Sequence, residues 1–480
     1  MNSIYINGAW TKPVSGQTKA IENPATGEQV ETVDYGGKED ALSAVKAASE
    51  AFESWSSKTV YERADYLRKL ADAIRENSDE LSKTLIQEVG KTQPESLGEI
   101  NAGADQYEWY AEEVKRSSGD VIPHRLENRR HMTIRHPVGP VAAISPWNFP
   151  ILLSARKLAP ALAAGCTVIN RPASQAPLTM IKIFNIMDEI GFPKGVVNLV
   201  VGNPGECSEV FVADDRIKKI SFTGSLEVGQ QLYVACASRM KKMKKISLEL
   251  GGHSPFIILP DVPVDHAADN AVFAKYRNMG QVCISASRFY VHHSMKSAFE
   301  QKVVEKVSRL KIGNGLEPTT DVGPLFEKKR VDDSLRLISD IKEKGGKILV
   351  GGKQPAGDKY SKGYFFEPTV ATDINGDMQI LKEEPFVPIM PIIGYETIEE
   401  VIRMANDTPY GLAAYAMTNN LKWATEIAEK IEAGIIGIND CSPAAAQCPF
   451  GGMKKSGVGR EGWKQGLEGY YETKYISFGL

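Results

Sequence analysis

The chain predicts an α/β protein built on two largely parallel sheets, and three observations carry that expectation. Its 480 residues exceed one simple core and point to two or three domains. From Val138 to Leu250 short apolar runs alternate with helical ones. The apolar runs are Val141 to Ile144, Thr167 to Ile169, Val196 to Val201, Ile217 to Phe222 and Ile246 to Leu250; helices are predicted over Pro177 to Ile190 and Glu227 to Ser238. Continuous apolar strands interleaved with helices indicate βαβ units and a sheet covered on both faces. A second alternation runs from Phe256 to about Ile435 and predicts another α/β domain.

Most of the chain before Val121 is helical by pattern. Between Tyr61 and Ile74, the residues Ala64, Leu67, Leu70, Ala71 and Ile74 share one helical face, which reads as core-facing. Ser78 offers a cap for a second helix carrying Leu81, Leu85, Ile86 and Val89 and ending at Gly90. Arg130 to Val138 and Tyr470 to Leu480 read as strands outside both domains; such edges need partners, either each other or another subunit.

Composition narrows the function classes. With 42% hydrophobic and 24% charged residues and a net charge of -3, the chain has no global attraction for nucleic acid or anionic membranes. The opening MNSIYINGAW lacks a secretory pattern, and no apolar run approaches the roughly 20 residues that span a bilayer. A soluble, cytoplasmic protein is expected, with no nucleic-acid or membrane partner. The six cysteines are scattered without a CxxC pair and the seven histidines form no HExxH, so neither a metal site nor a disulfide framework is expected. His292 and His293 read as exposed residues ending a strand, and the basic run Arg239 to Lys245 as a solvated face without aromatics for base stacking.

The best nucleotide signal is KKISFTGSLEVG, Lys218 to Gly229, where a strand runs through Gly224 into a helix opening at Ser225. A helix N-terminus offers free N–H groups and partial positive charge to a pyrophosphate; Gly224 permits the tight turn and Ser225 can cap and donate. The formal GxGxxG at Gly457 to Gly462 lacks a leading buried strand and a following βαβ unit, so it reads as a glycine-rich loop.

Three further features converge on chemistry. Asn148, held between prolines in Pro146-Trp147-Asn148-Phe149-Pro150, can aim its amide at a developing oxyanion. Glu249 ends a strand at Glu249-Leu250-Gly251-Gly252, and Cys283 closes Gly280-Gln281-Val282-Cys283, one plausible crossover later. A lone cysteine is more often a small buried hydrophobe than a nucleophile. The coincidence of all three with the phosphate turn favours the nucleophile.

From IENPATGE (Ile21 to Glu28) to PFGGMKKSG (Pro449 to Gly457), the whole chain resembles the aldehyde dehydrogenase superfamily, with PWNFP, FTGS, LELGG and GQVC in the family's order. The resemblance implies a Rossmann-type parallel-sheet cofactor domain, an α/β catalytic domain and a small β oligomerisation arm, usually in homodimers or homotetramers. The corresponding ranges are 1–120 and 139–250 with part of 440–465, then 251–435, then 121–138 with 466–480. It implies Cys283 as nucleophile, Glu249 as general base and Asn148 as oxyanion amide. It also implies a cofactor site of Ser145, Trp147, Arg171, Ser174, Gly224, Ser225, Gly229, Leu250, Glu384 and Phe386 for NAD or NADP. In that chemistry the thiolate attacks the aldehyde, a hydride leaves for the nicotinamide, and Glu249 activates water to hydrolyse the thioester.

Departures from the family pattern matter for selectivity. Val387 and Leu226 stand where the family commonly has Gly and Thr, and Arg171 with Ser174 where it often has Lys and Glu. Loss of the Glu removes repulsion of a 2′-phosphate, and Arg171 can pair with it, so NADP is expected to be accepted. Arg156 and Arg288 match arginines that bind the distal carboxylate in the succinic semialdehyde dehydrogenase branch. That branch's third carboxylate-holding group, a serine, falls on Ala444, with Ser442 nearby; Ser285 stands where part of the branch has a second cysteine. The substrate expected is a short aldehyde with an anionic far end. The alternatives are a sulfonated or hydroxylated short aldehyde (sulfolactaldehyde, lactaldehyde), thioester cleavage by coenzyme A, or a non-catalytic binding or structural protein of this fold.

Overall fold

A computed structural model of the chain describes all residues except Met240 and Lys241. Its larger sheet has eight strands, in the order Gly457–Val458, Lys245–Glu249, Lys219–Thr223, Val141–Ile144, Val168–Arg171, Val197–Val200, Ile4–Ile6, Ala9–Thr11. The inner five run parallel and the outer strands antiparallel. Alternation of side chains along each strand divides the core in two. Val141 and Ala143 pack with the helices Val60–Glu76, Gln93–Glu113, Pro150–Ala164 and Leu178–Ile190. Ala142 and Ile144 face Lys38–Ser56, Pro204–Ala213 and Leu226–Arg239. With both faces covered, most strand positions are apolar, interrupted by buried Asn170, Asn198 and Lys219.

The second sheet has seven strands, Lys347–Val350, Thr369–Thr372, Ile389–Tyr395, Ala286–His292, Ser254–Ile258, Ala413–Met417 and Ile435–Ile438, parallel except for the first. The two terminal-arm strands pair with each other: Tyr471–Gly479 runs antiparallel to Arg129–Pro137, and Val121–Ile122 adds a short third strand. No described helix is long and apolar enough to cross a membrane.

Several local expectations are corrected. Ser78 is already the first helical residue of Ser78–Val89; Asn77 holds the cap position, and Gly90 ends the helix in the left-handed region at φ 87°. His292 is half-buried, accepting from the Ser294 N–H at the start of the following helix. Of the basic run, Met240 and Lys241 lie outside the described residues, and Lys244 departs from a solvated face. It is buried, and its ammonium donates to the carbonyls of Asp214 and Ile217.

Candidate active site

Cys283 sits where two cavities meet. One, of about 670 Å³, has Arg156, Arg277, Phe149, Phe450, Ser442 and Ala444 in its wall. The other, of about 490 Å³, is walled by Trp147, Asn148, Ser225, Leu250, Glu384 and Phe386. A group bound in either reaches the same sulfur.

The turn leading to Cys283 is unusual in backbone. Asn278, Met279 and Gly280 occupy the left-handed region in succession, at φ 48°, 55° and 73°. Only glycine does so without steric cost, so neighbours must hold the other two. The Asn278 side-chain amide donates to the carbonyls of Asn148 (3.3 Å) and Gln281 (3.2 Å), while the Gln281 side-chain oxygen accepts from the Phe326 N–H (2.9 Å). The Asn148 amide spends one hydrogen on the Gln281 carbonyl (3.1 Å), leaving its second for an oxyanion. Burial pushes the Cys283 thiol up to about 12, against the pull of Arg156. Forming the thiolate therefore requires a base and a cation at hand.

Glu249 ends its strand opposite Gly457, and a Cβ built on Gly451 would come within 2.6 Å of its Oε1. Glycine at 451 thus makes room for the carboxyl. Oε2 of Glu249 is buried without a partner, as is Oε2 of Glu461. Burial first, and then the nearby Glu461, raise Glu249 well above the carboxylate range, with Lys157, Arg156 and Arg460 opposing. Lys157 bridges Glu461 and the Thr223 hydroxyl (2.6 Å). Only once ionised can Glu249 act as a base for water. Glu461 lies inside the GxGxxG segment, whose Gly457 and Val458 pair with the edge of the larger sheet, so that motif is more than a loop.

The second cavity fits a dinucleotide. Ser225 opens the helix, accepting from the Val228 N–H (3.4 Å), and a Cβ on Gly229 would meet Leu250 at 2.3 Å, so only glycine lets this helix lie so close. Trp147 stacks on Phe326 at 4.0 Å and meets Phe386 edge-on at 5.9 Å. Glu384 accepts the Gly252 N–H (3.0 Å), and burial lifts its carboxyl to about 7. Arg171 is buried and has no carboxylate partner among the described residues; it donates to Ser174 Oγ (2.8 Å) and the Gly202 carbonyl (3.1 Å), and among those residues its Nε is unpartnered. Trp147, Gly224, Ser225, Leu250, Glu384 and Phe386 line the cavity. Arg171, Ser174, Gly229 and Ser145 lie outside its lining, the last tied to Ser154 (2.7 Å). The helix start at Ser225 and the close approach allowed by Gly229 suit a phosphate-bearing ligand.

The model of the Aldehyde dehydrogenase family matches residues 10–476. The chain belongs to the aldehyde dehydrogenase family. The enzyme is 42% identical over 472 residues to a glutarate-semialdehyde dehydrogenase of Pseudomonas putida, covering 98% of this chain and 96% of the relative. It is 40% identical over 475 residues to the succinate-semialdehyde dehydrogenase [NADP(+)] GabD of Escherichia coli, covering 99% and 97%. A crystal structure of betaine aldehyde dehydrogenase from Staphylococcus aureus in complex with NAD+ superposes with a TM-score of 0.97 at 37% identity, covering 100% of this chain and 95% of that one.

Within this aldehyde dehydrogenase, Arg288 is a correction. It lies in neither cavity at Cys283: its guanidinium is spent on the carbonyls of His253 (3.0 Å), Met404 (3.2 Å) and Ala405 (2.9 Å) and on the Tyr290 hydroxyl. Arg288 is the third residue of the buried strand Ala286–His292 and its side chain is enclosed there, so the spacing after Cys283 misled. Arg277, six residues before Cys283, lines the first cavity with Arg156, whose guanidinium stacks 3.7 Å from the Phe450 ring. Its signal in the sequence was its place in the same RNMGQVC turn. Phe149 and Phe450 lay within noted motifs, whereas nothing local pointed to Lys157 or Glu461. Val387 is buried, its carbonyl 2.5 Å from where a Cβ on Gly280 would stand; Leu226 borders the second cavity.

Proposed function

We propose that this aldehyde dehydrogenase oxidises a short aldehyde with an anionic far end, of the succinic or glutaric semialdehyde class, to the acid. The single observation carrying this is that Arg156 and Arg277 share one cavity with Cys283. Two guanidinium groups suit a carboxylate, which they can grip through paired N–H donors while the aldehyde carbon lies at the sulfur. The relatives named for succinate and glutarate semialdehydes support the same class. Ala444, in place of a hydroxyl group, leaves space beside the arginines, and a sulfonated or hydroxylated short aldehyde is the second reading.

In this reading Cys283 attacks the carbonyl carbon and Asn148 with the Cys283 N–H holds the resulting oxyanion. When bound in the second cavity, held by Trp147, Ser225, Leu250, Glu384 and Phe386, the nicotinamide dinucleotide supplies the two-electron oxidant. Glu249, once ionised, takes a proton from the water that cleaves the thioester. Arg171 and Ser174 favour acceptance of NADP beside NAD, since no carboxylate opposes a 2′-phosphate there. The arm of Arg129–Pro137 and Tyr471–Gly479, with Tyr475, Phe478 and Leu480 exposed, supports assembly as a homodimer or homotetramer.

The test compares kcat/KM for succinic and glutaric semialdehydes, sulfolactaldehyde, lactaldehyde and butanal, each with NAD and NADP. The semialdehydes are expected to lead. Preference for neutral aldehydes would sink the reading.

A further inference from the structure

We propose that Glu95 is a positioning residue that locks the Arg277–Gly280 turn, keeping the Arg277 guanidinium and the Cys283 thiol on one cavity at a set separation. This rests on the substrate reading above for the role of Arg277. The turn contains two consecutive non-glycine residues in the left-handed region, Asn278 and Met279, a conformation that persists only where surroundings over-determine it. Glu95 supplies the only carboxylate bonded to that turn among the described residues: its Oε1 accepts the Asn278 N–H at 2.6 Å. Its other oxygen accepts the Thr92 N–H at 2.9 Å, at the start of helix Gln93–Glu113. One carboxylate therefore ties a helix end to the strained turn, and a charge-assisted bond of this kind is among the stronger neutral-to-ion contacts.

One helical turn on, Glu99 does the corresponding work for the other arginine. Its Oε1 accepts the Ile151 N–H (2.9 Å) at the start of Pro150–Ala164, the helix that carries Arg156. Its Oε2 accepts from Lys91 (2.6 Å), whose ammonium lies 3.3 Å over the Phe149 ring. Both arginine-bearing elements thus hang on one edge of one helix. Glu99 is wholly buried, and its loss would endanger folding; Glu95 is partly exposed on the cavity wall and can be varied. Asn278 also bonds the Asn148 carbonyl, so slack in the turn reaches the oxyanion amide as well.

The test uses the full-length enzyme with Glu95→Ala, Glu95→Asp and Glu95→Gln. The readouts are KM and kcat for succinic semialdehyde and for butanal, the rate of Cys283 carbamidomethylation by iodoacetamide, and the thermal midpoint. Glu95→Ala and the shorter Glu95→Asp are expected to raise the succinic semialdehyde KM about tenfold, with butanal KM within about twofold and an altered alkylation rate. Glu95→Gln keeps one oxygen for the Asn278 N–H but gives up the bond to the Thr92 N–H, so it is expected to fall between wild type and Glu95→Ala. A helix cap alone would lower the thermal midpoint while leaving alkylation and the KM ratio untouched, and that result overturns the proposal. So does Glu95→Gln behaving as Glu95→Ala. If the wild-type enzyme shows no preference for the anionic aldehyde, the substrate reading fails separately; an unchanged alkylation rate in Glu95→Ala then still refutes the positioning role.

Discussion

Replacing Arg277 with Met tests the arginine that the structure, in place of Arg288, puts on the cavity at Cys283. Arg277 lines the cavity and is half-buried there, so Met fills similar volume while removing the charge. A hydrogen bond to a charged group contributes about 1.5–3 kcal/mol, so kcat/KM for succinic semialdehyde should fall roughly 10- to 150-fold. Butanal, which makes no such bond, should change by less than about threefold. Arg288→Met is the control: it takes the donor from the buried carbonyls of His253 and Ala405, each loss costing about 1–3 kcal/mol, while Met404 keeps its bond from Tyr290. It should lower the thermal midpoint, and in the fraction that stays folded leave the ratio of the two substrates unchanged. Steady-state absorbance of the reduced cofactor with both aldehydes, beside thermal unfolding of each variant, reads all of this. An unchanged ratio in Arg277→Met together with a collapsed ratio in Arg288→Met would refute the reasoning.

Glu249→Gln should lower the steady-state rate about 10²- to 10⁴-fold and slow hydrolysis more than the first turnover's burst of reduced cofactor, because hydrolysis depends on the carboxylate as base for water. Since burial raises Glu249 and only its deprotonated form serves as base, wild-type thioester hydrolysis should rise with pH and the Glu249→Gln rate should not; a pH-independent wild-type rate would count against Glu249. Ser174→Glu restores a carboxylate beside Arg171 and should cut the NADP-to-NAD ratio of kcat/KM by about tenfold or more, measured with saturating aldehyde; an unchanged ratio would place the 2′-phosphate elsewhere.

Much of the fold was legible because its signals are local. The strands of the larger sheet are covered on both faces and read as apolar runs, and the glycine at 90 ends its helix where the periodicity stops. The residues proposed for catalysis each sit in a short motif: Asn148 between prolines, Glu249 before Leu250 and two glycines, Cys283 after Gly280. Helix starts were less so, because Asn77 and Ser78 are both good caps and only the path of the chain selects between them. The pairing of Arg129–Pro137 with Tyr471–Gly479 was one of two options open to edge strands, and bringing chain segments that far apart together is a tertiary decision.

By itself the sequence determined the residue types that chemistry needs and the order of strands and helices, because both are written in neighbouring positions. The tertiary structure decided which charges meet. Arg288 lies near Cys283 along the chain yet points into a sheet, while Arg277 and Arg156, on separate elements, open onto one cavity. Lys157 and Glu461, 304 residues apart along the chain, come together beside Glu249. Electrostatic energy depends on distance and dielectric in space, and neither can be read from separation along a chain.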